Sequence, residues 1–439
     1  MKLAPALALA AALSLPALAL AAPSVGDCHV GAYRLADGQV IEVSPTDGPD
    51  LRWRRWDGET GALSRGADGT WTSHYGWTGR PDGRVVSFAD CPGRSLDFGG
   101  IAGQRIDFDV KETTVPGRDV PLAGRLVLPK GTGKVPMVVL VHGSEFSSAR
   151  DFYWLQRLLP AQGIGVFVYD KRGTGGSGGK YTQDYSTLAD DAVAAMKEAR
   201  RLAGGRASRV GYQGGSQGGW VVPLAANRAP VDFAVVSFGL AVSAIDEDRE
   251  EVELEMKLAG HGPAETAKAL KVAGAAEAMA MSDFTQGFEA FDAVRAKYHD
   301  EPWFKDLRGN LTRFILPLSL EEMPQKTQIY RFGTPWTYDP MPTLRAGRTP
   351  QIWILGGDDL DAPSAETSRR IKALQAEGRP FTLAIFPGAE HGMTEFEGTG
   401  TDRTSTRFAP GYFQMLADFI RDGRLKGAYG DAVIDRPRR

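Results

Sequence analysis

Cysteine, histidine and net charge are all scarce in this chain. Only two cysteines, Cys28 and Cys91, stand among its 439 residues, and no metal-type spacing surrounds either; Cys28-His29 alone is too little for a zinc site. No His-Glu-x-x-His helix is present. The formal net charge of −3 gives no reason to expect nucleic acid or an anionic membrane as a partner. Beyond the first 22 residues no stretch is apolar for long enough to span a bilayer, so no stable membrane anchor is expected. One glycine-rich stretch, Gly173-Thr-Gly175-Gly-Ser-Gly178, matches Gly-x-Gly-x-x-Gly after a strand. No helix opens at its third glycine, and it lacks the Lys-Ser/Thr pair of a phosphate loop, so a nucleotide cofactor is not expected. What remains is ordinary globular composition, 42% hydrophobic and 24% charged, in a chain long enough for two or three domains.

The first 21 residues stand apart. Lys2 gives a short positive start, an Ala/Leu run follows, and Ala19-Leu20-Ala21 is a small-residue cleavage pattern. This is read as a secretory signal peptide cut after Ala21, which places the protein outside the cytoplasm, secreted or periplasmic. In an oxidising compartment the two cysteines, bracketing one segment, are expected to form a disulfide.

Residues 22–105 read as a β-rich module. Asp-Gly pairs recur at Asp37-Gly38, Asp47-Gly48, Asp57-Gly58, Asp68-Gly69 and Asp82-Gly83, between short β-branched or aromatic runs. That pattern signals hairpins, in a meander or a small barrel. Four of nine tryptophans lie here: Trp53, Trp56, Trp71 and Trp77. A sugar-binding platform is one reading; aromatics serving as the core of a small sheet is the preferred one.

From residue 106 the pattern changes. An antiparallel entry, 106–130, leads to continuous apolar strands at 135–141, 165–169, 210–213 and 233–238, separated by helical stretches. Such alternation predicts an α/β fold with a mostly parallel sheet covered on both faces. The first part of this core spans 106–239. Residues 240–349 break the rhythm with charged and Ala-rich helices, read as a cap inserted at the carboxyl edge of the sheet, where ligands bind. The core resumes over 350–422 with strands at 351–355 and 381–386 and a last helix. A polar tail, 423–439, is expected to be loosely ordered.

The stretch Arg209-Val-Gly-Tyr-Gln-Gly-Gly-Ser216-Gln-Gly-Gly-Trp220 joins an apolar strand to an apolar helix through Gly-x-Ser-x-Gly. A serine so placed is a candidate nucleophile, with the amide of Gln217 pointing to where an oxyanion forms. A hydroxyl needs a base, and the base needs a carboxylate to fix its tautomer. Of the six histidines, His391 alone lies in a loop after a late strand. The acid is expected at Asp359, counting forward from Gly356 and back from Pro363, with Asp361 and Asp358 of the same loop as alternatives. The second oxyanion donor is expected in the loop after the first core strand, at the amide of Ser144, with Glu145 as alternative.

Five motifs in order then resemble the α/β-hydrolase superfamily: Val139-Leu-Val-His-Gly-Ser144, Tyr169-Asp-Lys-Arg-Gly173, Gly214-Gly-Ser-Gln-Gly-Gly219, Gly356-Gly-x-Asp359-x-x-x-Pro363 and Pro387-Gly-x-x-His391-Gly. The resemblance covers about 106–422 and is to the bacterial esterase and serine-aminopeptidase-like branch. It implies acyl transfer to water through an acyl-serine, without a cofactor or metal. The substrate would be a small acyl ester, with a short peptide or a thioester as alternatives. A non-catalytic glycan-binding protein is the reading from a different class.

Overall fold

The computed structural model describes residues 27–437; the signal-peptide expectation therefore falls outside the described residues. Eight antiparallel strands, Gly31–Leu35, Val40–Pro45, Leu51–Arg55, Thr60–Arg65, Trp71–Tyr75, Pro81–Phe88, Ser95–Phe98 and Ile101–Arg105, follow one another around a closed barrel. The last pairs with the first through Tyr33 and Arg105. In three of the turns an aspartate accepts the amide two residues on: Asp37 from Gln39, Asp57 from Glu59 and Asp68 from Thr70. These are hairpins, as expected. Asp82-Gly83 is not: it lies inside Pro81–Phe88, where the register against Trp71–Tyr75 shifts, a bulge rather than a turn.

Alternation sends Tyr33, Ile41, Val43, Leu51, Trp53, Leu63, Trp71, Val86 and Phe98 into the barrel core. Trp53 and Trp71 are thus core, as expected. Trp56 and Trp77 are not: they face the rest of the protein. Cys28 and Cys91 form the expected disulfide, with Cα atoms 5.9 Å apart.

The second body is a nine-stranded sheet. Its order is Val433–Asp435, Phe381–Phe386, Gln351–Gly356, Phe233–Ser237, Ala207–Gly215, Val135–Val141, Gly165–Tyr169, Pro121–Pro129, Phe108–Pro116. The six strands from Phe381–Phe386 to Gly165–Tyr169 are parallel, and antiparallel strands flank them on both edges. Their almost unbroken burial explains the continuous apolar runs. Helices Tyr185–Ala203, Gly218–Arg228 and Ser364–Ala376 cover one face; Tyr412–Asp422 and the short helices Ala149–Phe152 and Leu155–Leu158 cover the other. This is the α/β-hydrolase fold, preceded by a small β domain. The tail departs from expectation: Val433–Asp435 is ordered as the edge strand, pairing with Leu383–Ile385.

Between the adjacent strands Phe233–Ser237 and Gln351–Gly356 the chain makes the helical excursion read from sequence: Ala244–Leu258, Pro263–Met281, Phe288–Tyr298 and shorter turns. It has its own core, including Val252, Met256, Val272, Met279, Phe284, Phe291 and Trp303. Buried acids on the first helix fasten its loops. Asp248 accepts the amides of Leu311 and Thr312 at 2.7 and 3.0 Å and the Thr312 hydroxyl at 2.7 Å, while Glu255 accepts the Gly309 amide at 3.0 Å.

A hairpin after the last parallel strand, Thr394–Thr399 with Asp402–Phe408, receives the barrel. Phe408 N–H donates to Gly58 O at 2.9 Å, and Trp77 N–H donates to Ser405 O at 2.9 Å. Trp56 Nε1 donates to Gln414 Oε1 at 3.1 Å. Gly58 and Gly76 sit at this seam with φ of +96° and +53°. A Cβ on either would lie 2.4 Å from a backbone oxygen, of Phe408 or of Thr406. Gly58→Ala and Gly76→Ala are therefore each expected to destabilise the protein by about 1–3 kcal/mol, read as a lowered thermal midpoint. An unchanged midpoint would show that the seam yields.

Candidate active site

The strand Ala207–Gly215 runs straight into the helix Gly218–Arg228, and Ser216 is the hinge, with φ +51°. A left-handed conformation in a non-glycine residue costs on the order of 1–3 kcal/mol and persists only where the surroundings impose it. Here Ser216 N–H donates to Ser237 O at 3.1 Å on the next strand. Three glycines permit the turn. A Cβ on Gly214 would meet Val222 Cγ2 at 2.8 Å and Gly218 Cα at 3.0 Å; one on Gly215 would meet Phe238 Cζ at 2.4 Å. On Gly219 it would meet Leu240 N at 2.8 Å. Gly218, the second glycine of the motif, has only an ordinary contact at 3.9 Å, to Val141 O. The steric need falls on its neighbour.

Two loops at the carboxyl ends of adjacent strands bring Asp359 and His391, the expected acid and base, together. Asp359 follows Gln351–Gly356 and is buried; His391 follows Phe381–Phe386. His391 Nδ1 lies 3.0 and 3.2 Å from the two carboxylate oxygens of Asp359. That contact makes Nδ1 the protonated nitrogen and leaves Nε2 free to accept a proton. Asp359 Oδ1 also accepts the Ala362 amide at 2.7 Å. Neither alternative acid reaches the ring: the Asp358 side chain is exposed, and Asp361 lies 3.5 Å from Arg313. Glu390 braces both loops, accepting the amides of His391 and Leu360 at 3.0 Å each, and Arg403 holds Glu390 at 2.5 Å. Phe238 stacks edge-on to the His391 ring, 4.9 Å between centroids.

The other histidines lie elsewhere. His29 and His74 belong to the barrel; His261 pairs with Asp306 at 2.8 Å, and His299 is exposed. His142 follows the interior strand Val135–Val141 and is buried, and burial pushes its pKa down to about 4. For His391 burial opposes the charge as well, but the Asp359 carboxylate, by charge and hydrogen bond, more than offsets it and lifts the pKa to about 9. A quarter of the His391 side chain stays open to the adjoining cavity.

That cavity, of about 600 Å³, is lined by Ser216, His391, Ser144 and Glu145, and by Arg54 and Trp77 of the barrel. A second chamber of about 340 Å³ lies on the cap side, lined by Ser144, Ser216, Gln217, Glu247, Arg313 and Phe332, among others. Ser216 and Ser144 thus stand where two chambers meet. The Ser216 hydroxyl and the His391 ring share the larger one without a hydrogen bond between them; such contacts often tighten only once substrate is bound.

The amides of Ser144 and Gln217 donate to no other group among the described residues. A buried lysine, absent from the expectations, links their two loops. Lys171 Nζ donates to Gly143 O on one side and to Gln217 Oε1, at 3.1 Å, on the other. Burial lowers its pKa to about 8, with the Glu145 carboxylate opposing. Glu145 itself accepts from the Tyr153 hydroxyl and from the Gly143 amide, at 3.3 Å. Glu247 was likewise not anticipated. Its carboxyl faces the cap-side chamber, and burial raises its pKa to about 8 against the attraction of His391. The glycine-rich loop at 173–178 also finds a use. Gly176 N–H donates to Asp170 Oδ2 at 2.9 Å, and a Cβ on Gly175 would lie within 2.3 Å of that oxygen, so the loop wraps a carboxylate of its own chain.

The profile of a family described as "Serine aminopeptidase, S33" matches residues 134–398, a segment containing Ser144, Ser216, Asp359 and His391. Among solved structures, an esterase of Pyrococcus furiosus is 18% identical over 65% of this chain and 84% of its own, with a TM-score of 0.43. An acylaminoacyl peptidase of Pyrococcus horikoshii is 16% identical over 90% of this chain and 56% of its own, with a TM-score of 0.42. A puromycin-hydrolyzing peptidase of Mycobacterium tuberculosis is 16% identical over 82% and 50%, with a TM-score of 0.40. A comparison with curated proteins finds no match.

The neutral imidazole is the form that can take a proton from Ser216. The rate of Ser216 labelling by a fluorophosphonate is therefore expected to climb with pH until His391 has deprotonated, near its pKa of about 9. Asp359→Asn removes the charge that holds the proton, so the inflection moves to lower pH and labelling slows. A flat profile between about pH 6 and 10, or an inflection unmoved in Asp359→Asn, would contradict this coupling.

Proposed function

The chain belongs to the serine aminopeptidase S33 family of hydrolases, and from that membership and the geometry of the site we propose that it cleaves carboxylic esters through an acyl-serine intermediate. The observation that carries the proposal is the 3.0 Å Asp359–His391 contact in a cavity that also exposes the strained Ser216. Ser216 Oγ attacks the ester carbonyl as its proton passes to His391 Nε2. The tetrahedral oxyanion is held by the amides of Ser144 and Gln217, each such donor being worth roughly 3 kcal/mol in the transition state. Collapse breaks the carbon–oxygen bond, and the imidazolium returns its proton to the departing alkoxide. Water, deprotonated by His391 in turn, attacks the acyl-serine; carboxylic acid leaves and Ser216 is regenerated. Asp359 fixes the tautomer and stabilises the imidazolium throughout. Lys171 keeps the two amide-bearing loops in register.

The same groups suffice for amide hydrolysis, and the family's description makes a peptidase the second reading. We place the reaction outside the cytoplasm, in the periplasm or secreted. The signal-like residues 1–21 and the Cys28–Cys91 disulfide support this.

Ser216→Ala is expected to lower turnover of short-chain p-nitrophenyl esters by roughly 10³-fold or more and to abolish fluorophosphonate labelling, with an unchanged circular dichroism spectrum. Full activity in that variant would sink the assignment. A panel of esters of increasing chain length beside aminoacyl p-nitroanilides separates esterase from peptidase by kcat/KM.

A further inference from the structure

Strand Leu51–Arg55 of the barrel alternates in the usual way, with Leu51 and Trp53 turned into the barrel core. Arg52 and Arg54 therefore point outward, where solvent is expected. Both are instead buried, at 8% exposure each. Buried guanidinium groups need compensating negative charge, and these are short of it. One carboxylate, Glu42, is shared: Oε2 pairs with Arg54 Nη1 at 3.0 Å and Oε1 with Arg157 Nε at 2.6 Å. Arg52 has no ion-pair partner among the described residues; it donates to Gly76 O at 2.9 Å and lies over the Trp77 ring at 4.1 Å. Arg54 and Arg157 thus share one carboxylate, and Arg52 has none. The carboxylate on the cavity wall, Glu145, is held by Tyr153 and Gly143 at the Ser144 end.

Arg54 is itself part of the wall of the cavity that contains Ser216 and His391. Its Nη1 is occupied by Glu42 and by Ser44 Oγ at 2.5 Å. Nε, fully buried, has no partner. Nη2 likewise makes no hydrogen bond among the described residues. Nε stays enclosed in protein, so Nη2 is the guanidinium nitrogen left to hydrogen-bond an anion in the cavity. Trp154, over which the Arg54 guanidinium lies at 4.9 Å, and Trp77 flank it with apolar surface.

Resting on the serine-hydrolase reading, we propose that the barrel supplies a substrate-recognition subsite in which Arg54 binds the carboxylate of a carboxylate-bearing ester while Ser216 attacks its ester carbonyl. The N-terminal domain is then a specificity element, and the enzyme favours anionic substrates over neutral ones of the same shape.

Two matched pairs of substrates test this. p-Nitrophenyl hemisuccinate and its methyl ester place or mask a carboxylate on the acyl side; 4-acetoxybenzoate and its methyl ester do so on the leaving group. The wild-type protein is expected to favour the anionic member of at least one pair in kcat/KM. Arg54→Gln should lower that anionic-to-neutral ratio by roughly 10- to 100-fold, the range of one charge-assisted hydrogen bond. Turnover of the neutral ester should stay within about twofold. The double variant Arg54→Gln/Glu42→Gln, which removes the charge from both members of that pair, should show the same loss. Unchanged ratios in the variants, an equal loss for both members of each pair, or no anionic preference in the wild-type protein would each overturn the subsite. If instead no ester is cleaved and Ser216 resists the fluorophosphonate, it is the hydrolase reading that has failed.

Discussion

The left-handed turn at Ser216 is the constraint on which the rest of this structure depends. A strand and a helix can meet at one residue only if nothing stands between them, and the close contacts at Gly214, Gly215 and Gly219 record how little room there is. Gly219 packs against the backbone of Gly239 and Leu240, where the chain leaves the next strand for the cap. The same turn that exposes Ser216 therefore also fixes where the helical insertion begins. Phe238, whose ring closes on Gly215, is the residue that stacks on His391. Ser216, the setting of His391 and the start of the helical insertion are set by one crowded region of backbone.

Charge around that region is arranged in opposed pairs rather than neutralised at a distance. Asp359 draws a proton onto His391, while Lys171 sits between the elbow and the loop of Gly143. Glu247 reaches the same centre from the helical insertion, its pKa raised by burial. The acids of the Ala244–Leu258 helix do a mechanical task as well. Asp248 and Glu255 collect loop amides and so hold Asn310, Leu311 and Arg313 at the mouth of the cap-side chamber.

The parts of the site visible in the sequence are those specified locally. Gly-x-Ser-x-Gly between apolar runs, and acid and histidine loops after apolar strands, carry their own turn chemistry, and the strands themselves fix which edge they occupy. Asp359 separates from its neighbours by burial alone: Asp358 and Asp361 stand one and two residues away, and only the fold decides which carboxyl turns inward. Lys171 was in plain view within Tyr169-Asp-Lys-Arg, yet a lysine after a strand usually reads as solvated; its burial comes from the approach of two distant loops. The hairpin Thr394–Phe408 passed unnoticed because its residues alternate only weakly, and its partner, the barrel, is more than 300 positions away in sequence. Arg54 could not be singled out for the same reason, since alternation placed it on an outer face that the fold then covers.

At the margin of the sheet, Val433–Asp435 covers Phe381–Phe386, the strand whose loop carries His391. That strand is Phe-Thr-Leu-Ala-Ile-Phe, apolar and β-prone along nearly its whole length. Left open, such a strand offers a ready template for pairing with a second chain. Three residues of a polar segment occupy its hydrogen bonds instead. The short closing strand thus takes up the edge at Leu383–Ile385 with which a second chain could otherwise pair.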